Sequence, residues 1–202
     1  MSSFNLETCP ASAPFLGYMG VTAAVVFANM GAAYGTAKAG VGIMASGVSS
    51  PDNVWRNLIP IIMAGVNGIY GLITAVILIS SIVSPSGDGS HKYSLFTAFA
   101  HLASGLCCGL TGLGSGIAIG VAGDSSIRGC EAYEMESKKM MQSMNVGFGF
   151  GANAGRRKNN KKSGQGDQLF VAMVLIQVFA GNLGLYGLIT SIILSQSIYV
   201  CE

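Results

Sequence analysis

Ala180-Gly181-Asn182-Leu183-Gly184-Leu185-Tyr186-Gly187-Leu188-Ile189-Thr190 repeats an earlier stretch of the same chain, Ala64-Gly65-Val66-Asn67-Gly68-Ile69-Tyr70-Gly71-Leu72-Ile73-Thr74, with eight of eleven positions identical. A match of that length and order points to duplication of one structural unit. Each copy lies inside a long run that contains no Asp, Glu, Lys or Arg: Asn57 to Gly87 for the first and Gln168 to Cys201 for the second. Two further runs, Thr8 to Ala37 and Tyr93 to Gly123, precede them, so the unit is a pair of uncharged runs and it occurs twice.

Each run is about 30 residues, and about 20 suffice to span hydrocarbon as a helix. None shows the period-two alternation of a membrane barrel strand. A helix satisfies its own backbone hydrogen bonds in lipid, so helices are the reading. The fold class expected is an all-α membrane protein of four transmembrane helices arranged as two duplicated hairpins. The first hairpin pairs roughly Ala13–Gly47 with Val54–Val83 and occupies residues 13–84; the second pairs Leu95–Ile127 with Gln168–Ile198 within residues 95–202. Ser84-Pro85-Ser86-Gly87-Asp88 is turn chemistry between them, and a tail of residues 1–12 and a loop of residues 85–94 complete the division.

Composition agrees. Half of the 202 residues are hydrophobic and a tenth are charged, while glycine stands at 29 where ordinary usage gives roughly 14. Ten of the eleven Lys and Arg lie in or beside the connections between helices 1 and 2 and helices 3 and 4; Lys92 is the exception. The positive-inside rule then puts those two connections in the cytoplasm and both termini, with the 85–94 loop, on the lumenal side. Residues 1–10 hold Glu7 and no basic residue, unlike the basic start of a cleaved signal, so the first helix is expected to be retained.

Small residues recur every fourth position in helices 1 and 3, as Gly31, Gly35 and Ala39 and as Cys108, Gly112, Gly116 and Gly120. Such stripes let helix backbones approach closely in lipid and, on alternate helices, suggest a crowded inner ring. The connection at about 130–167 is different in kind: Glu131, Glu134, Glu136, Lys138 and Lys139, then glycines, then Arg156, Arg157, Lys158, Lys161 and Lys162. It reads as a mobile cytoplasmic loop, whose first part, Glu131 to Met144, is able to prolong helix 3 with Glu134 four residues before Lys138. Its basic part reads as a solvated linker, with anionic lipid as the alternative partner.

Nothing in the chain looks like a soluble enzyme. Cys9, Cys107, Cys108, Cys130 and Cys201 have no metal-ligand spacing, no phosphate loop is present, and no metal, cofactor or nucleic-acid partner is expected.

Several motifs resemble the eukaryotic V-type ATPase proteolipid family: Met30-Gly31-Ala32-Ala33-Tyr34-Gly35-Thr36-Ala37-Lys38, Ile59-Pro60-Ile61-Ile62-Met63-Ala64-Gly65, Ile69-Tyr70-Gly71-Leu72, Gly120-Val121-Ala122-Gly123-Asp124 with Arg128-Gly129, and Leu183-Gly184-Leu185-Tyr186-Gly187-Leu188-Ile189. The resemblance implies packing in a rotor ring of the membrane (V0) sector beside other proteolipids, the stator (a) subunit, the central-stalk (d) subunit and membrane lipid. It further implies a non-catalytic part in ATP-driven proton transport and acidification, at the vacuole or another acidic endomembrane compartment.

The family's chemistry rests on one glutamate in the middle of helix 4, between a Phe-Ala pair and a Leu-Gly-Leu-Tyr-Gly-Leu stretch. Here Phe179-Ala180 is followed by Gly181-Asn182, so glycine stands at the proton-carrier position. A carboxyl group in lipid has its charged form disfavoured, crosses neutral and releases its proton beside a fixed cation; glycine binds none. All nine Asp and Glu read as tail, loop or helix-end residues. Asn182 does not titrate near neutral pH and lies about 100° around the helix from position 181; it reads as hydrogen-bonded to a neighbouring helix. Asn29, Asn67 and Gln177 read as interhelical hydrogen-bonding groups, and His101 as a packing or interfacial residue. Asp124 and Arg128 are placed to pair or to meet neighbouring subunits. The expectation is a ring member without its own carboxylate. The alternatives are a proteolipid-like protein outside the ATPase with an assembly, fusion or pore role, and a conducting chain whose site is rebuilt around Asn182 or His101.

Overall fold

The computed structural model describes residue 10 and residues 12–49, 54–82, 93–147 and 152–197, the side chains of residues 49, 141–147 and 152–167 excepted. These residues form four long helices: α1 (Ala13–Ser49), α2 (Ile59–Ser81), α3 (Leu95–Gly147) and α4 (Ala152–Ser195). A short 3-10 turn, Arg56–Leu58, leads into α2, whose Pro60 sits in the first turn, where a missing N–H removes no helical bond. Ile82 closes the other end of α2 with its N–H shared between the carbonyls of Leu78 and Ile79. Each helix contains a stretch long and apolar enough to cross a bilayer: Ala13–Val48, Arg56–Ser81, Leu95–Met140 and Gln168–Ser195. The chain is an integral membrane protein of all-α architecture, as its uncharged runs predict.

The layering follows the small residues. α1 packs chiefly on α3, with α2 and α4 outside this pair and in contact with each other. Along the α1–α3 seam a methyl group on Gly31 would stand 2.6 Å from the Gly112 carbonyl oxygen, on Gly35 2.7 Å from that of Gly116, and on Gly120 2.9 Å from the Gly35 Cα. Gly105 and Gly116 face backbone atoms of Gly20 and Gly31 more closely still. Backbone lies against backbone over about four turns, a separation that no residue with a Cβ allows, and in lipid such contact supplies the packing that water would otherwise drive. Apolar clusters close the seam at either end: Ala13, Tyr93 and Ala98 at one, Ile43, Ile127 and Met173 at the other.

α4 is the outermost helix. Only 17% of its most apolar stretch is buried within the chain, against 44% for α3, and its exposed Val171, Leu175, Phe179, Tyr186 and Ile193 form an apolar surface that water does not tolerate.

At the charged end the helices run further than charge density alone suggests. α3 continues to Gly147 and α4 begins at Ala152, so helical backbone occupies the described part of the 130–167 segment, whose composition predicts a mobile loop. A helix needs an apolar stripe only where it packs, and Glu131 to Gly147 offer ordinary helix formers above the membrane. The residues of the tail 1–12, save 10 and 12, and of the loop 85–94, save 93 and 94, lie outside the described residues.

The seam predicts a sharp contrast within α3. Gly116→Val forces two backbones apart and costs about 1–3 kcal/mol, whereas Gly114→Ala, with nothing within 4 Å of its Cβ, does not lower thermal stability in detergent and raises it by up to about 1 kcal/mol.

Candidate functional site

Gly181 lies midway along the α4 span, half-buried, on the side turned toward α2. A Cβ built there meets only the Cε of Met63, at 3.6 Å, which is ordinary contact with the flexible end of a side chain. The position therefore has room for a side chain although it carries none. One turn further along, Gly184 is different: a Cβ would stand 2.5 Å from Asn67 Oδ1, and at Gly187 it would collide with the Thr111 hydroxyl. Glycine is required at 184 and 187 to bring α4 onto α2 and α3, and is not required by packing at 181.

Behind Gly181 three helices are joined by one chain of hydrogen bonds. Asn67 of α2 donates from Nδ2 to Ser115 Oγ of α3 at 2.9 Å, and Ser115 donates its hydroxyl to the Ala180 carbonyl of α4 at 2.7 Å. Ala180 is the residue before Gly181, so this relay fixes the depth and rotation of position 181. Asn67 and Ser115 are each 1% exposed, and Asn67 Oδ1 has no partner among the described residues. Gln177, one turn from Gly181, is fully buried; its Nε2 makes a long bond of 3.4 Å to the Ile119 carbonyl and its Oε1 has none among the described residues.

The remaining polar residues resolve as follows. Asn29 bonds within its own helix, Nδ2 to the Val25 carbonyl at 2.9 Å, instead of bridging helices as its type suggests, because that carbonyl lies one turn away and within easy reach. Asn182 makes no hydrogen bond to any described residue of the chain, so the expected bond to a neighbouring helix is not found among the described helices. His101 is buried, its Nδ1 2.7 Å from the Tyr93 hydroxyl and its Nε2 without a partner among the described residues. Burial, with Tyr18 nearby, pushes the Tyr93 phenol up to about 12, so it remains a neutral hydroxyl there. His101 lies toward the Tyr93 end of α3 and Asn182 midway along α4, and nothing in the described residues links either to Gly181 as a proton path. Asp124 accepts from Arg128 Nε at 2.9 Å and has Lys38 Nζ at 4.0 Å, tying α3 to α1 at the charged end. Lys38 is a partner that spacing within α3 could not reveal, although it ends the Met30–Lys38 motif of α1. Among the described residues no group of His, Cys, Asp and Glu could hold a metal ion.

A four-span bundle of two related hairpins with a glycine seam inside is the architecture of a membrane proteolipid. The family pattern described as the C subunit of ATP synthase matches residues 19–78 and 102–194, once per hairpin. The chain is 46% identical to the V-type proton ATPase 16 kDa proteolipid subunit of Chrysotila carterae, over 97% of this chain and 99% of that protein. It is 42% identical to a V-type proton ATPase 16 kDa proteolipid subunit (c 2) of Caenorhabditis elegans, over 96% and 99%. It is also 42% identical to the V-type proton ATPase c' subunit of Neurospora crassa, over 94% and 92%. The chain belongs to the V-type ATPase proteolipids, within the family of the ATP synthase C subunit. The second match is longer than the first, 93 residues against 60, because it spans the charged segment between α3 and α4.

The relay makes a prediction of its own. Ser115→Ala strands the Asn67 amide and lowers stability by about 1–3 kcal/mol. Adding Asn67→Leu removes the stranded amide, so the double variant unfolds at a higher temperature in detergent than Ser115→Ala alone.

Proposed function

We propose that this chain is a ring subunit of the membrane sector of a V-type ATPase, and that it takes part in ATP-driven proton transport without carrying a proton itself. It is a structural partner in a rotary machine and performs no catalysis of its own. The observation that carries the reading is the glycine at position 181 within an intact frame: the relay through Ala180, the tight glycines 184 and 187, and free room for a side chain at 181. The apolar spans hold no Asp or Glu except in α3, where they begin at Asp124, at the charged end.

On this reading the chain sits among other proteolipids that supply the carboxylates, turns against the stator (a) subunit and couples to the central-stalk (d) subunit. Its connections between α1 and α2 and between α3 and α4 face the cytoplasm and its termini the lumen of a vacuole or similar acidic compartment, because its basic residues gather at one end. A carboxylate-free position that faces the stator cation leaves that charge without its counterion in a poorly solvated place, a penalty of several kcal/mol. One such position per ring is compatible with turnover and many are not, so the chain is expected at low copy number.

The test replaces what is missing. In cells lacking their major proteolipid, the unchanged chain and Gly181→Glu are expressed separately, and ATP-driven acidification of vesicles is measured with recovery of the chain in the purified complex. Both forms are expected in the complex and only Gly181→Glu restores pumping. Pumping by the unchanged chain would overturn the blank-site reading, and absence of both from the complex would favour a role outside the ATPase.

A further inference from the structure

Midway along the outer side of α4 stands a carboxamide that the fold leaves unanswered. Leu175, Phe179, Tyr186, Ile189 and Ile193 are between 45% and 64% exposed. With Asn182 they form the series 175, 179, 182, 186, 189, 193, whose steps alternate four and three, the spacing of a continuous helix-packing seam. Asn182 is the carboxamide of that seam, half-exposed and without a hydrogen bond to any described residue; Tyr186 adds a hydroxyl at the end of a longer, amphipathic ring. The other carboxamides deep in the spans are engaged: Asn29 with Val25, Asn67 with Ser115, Gln177 with Ile119.

We propose that Asn182 is an intersubunit contact, its carboxamide hydrogen-bonded to a polar group on the outer helix of an adjacent proteolipid chain. The inference rests on the ring reading above and names the surface through which the ring is joined. Three other occupants of the seam are less suited. Acyl chains offer an amide no partner. The described residues of the chain's own helices do not receive it. The stator meets each ring position for only part of a revolution and would leave the amide stranded for the rest, whereas an adjacent ring chain is a permanent neighbour. Gly181 adds to the fit: with no side chain there, and only Met63 Cε near its Cβ direction, the flank of Asn182 is clear for close approach of a second backbone.

The test uses the assembled complex. Leu183→p-benzoylphenylalanine places a photoreactive group beside Asn182 at an exposed position; irradiation of intact membranes followed by mass spectrometry is expected to find it joined to another proteolipid. Adducts to lipid alone, or to the stator alone, overturn the proposal. Asn182→Leu, competed against the unchanged chain, is expected to enter the complex about threefold less well, the worth of one interhelical hydrogen bond in a membrane, with Asn182→Gln recovering part of the difference. Equal entry of Asn182→Leu overturns the proposal even where Gly181→Glu pumps and the ring reading stands. Absence of the unchanged chain from the complex removes the ring reading and this inference with it.

Discussion

The contact on which the rest of the molecule depends is the meeting of the α1 and α3 backbones. In water, an apolar stripe on each helix is enough to bring two helices together; in hydrocarbon the surrounding lipid is as apolar as leucine, and that drive is gone. What remains is dispersion at short range, which requires that nothing stand between the backbones. Gly31, Gly35, Gly116 and Gly120 meet that condition by having no Cβ where one would collide, and Gly112 by having none where one would be tight. The closeness of this pair fixes the width of the inner layer and leaves α2 and α4 to cover it from outside, so the orientation of Gly181 on α4 follows from glycines on other helices.

Polar groups then fix register, which glycine contacts alone leave free to slide. The Asn67–Ser115–Ala180 chain crosses α2, α3 and α4 at a single depth. About three turns away, Ser104 of α3 bonds to the Ser191 carbonyl and hydroxyl of α4, and Asp124 with Lys38 holds α1 to α3 at the charged end. A slip of one residue at either of the first two would strand a buried donor at about 1–3 kcal/mol each, while the part-exposed ion pair adds less. Individually such bonds are weak in membranes; as three markers at different depths they define one alignment.

The fold was legible because its two determinants are written locally. Uncharged runs longer than a bilayer require helices, and the repeat of residues 64–74 at 180–190 requires two related hairpins. The glycine stripes were legible for the same reason, since a four-residue period marks one face. What depended on three-dimensional neighbours was less so. Asn29 and Asn67 look alike in sequence, yet one bonds to its own helix and the other across two; the difference is whether a hydroxyl such as Ser115 stands opposite. The prolongation of α3 past Glu131 was legible from its helix formers, whereas the early start of α4 at Ala152 was hidden because charge signals solvent and not the end of a helix. That glycine stands at 181, where the resemblance implies a carboxylate, is an expectation carried by the motif around it; that the position has room for a side chain could be learned only from the distance to Met63.

Both copies of the repeat now carry the same pair, Ala64-Gly65 and Ala180-Gly181. In α2 that glycine is exposed with nothing near it; in α4 it stands half-buried beside a polar relay. The equivalence in sequence is thus not an equivalence in surroundings. A glycine at 181 in place of a carboxyl group keeps a costly ionisable side chain out of the hydrocarbon and, for this chain considered alone, relieves the fold. The cost on the proposed reading is moved to the moment when the position faces a stator cation, where it is borne by the whole ring. A residue that stabilises the part and burdens the assembly is tolerable only if neighbouring chains retain their carboxylates, which is why the interface of α4, and not its vacant centre, is where the contribution of this chain to the machine is to be sought.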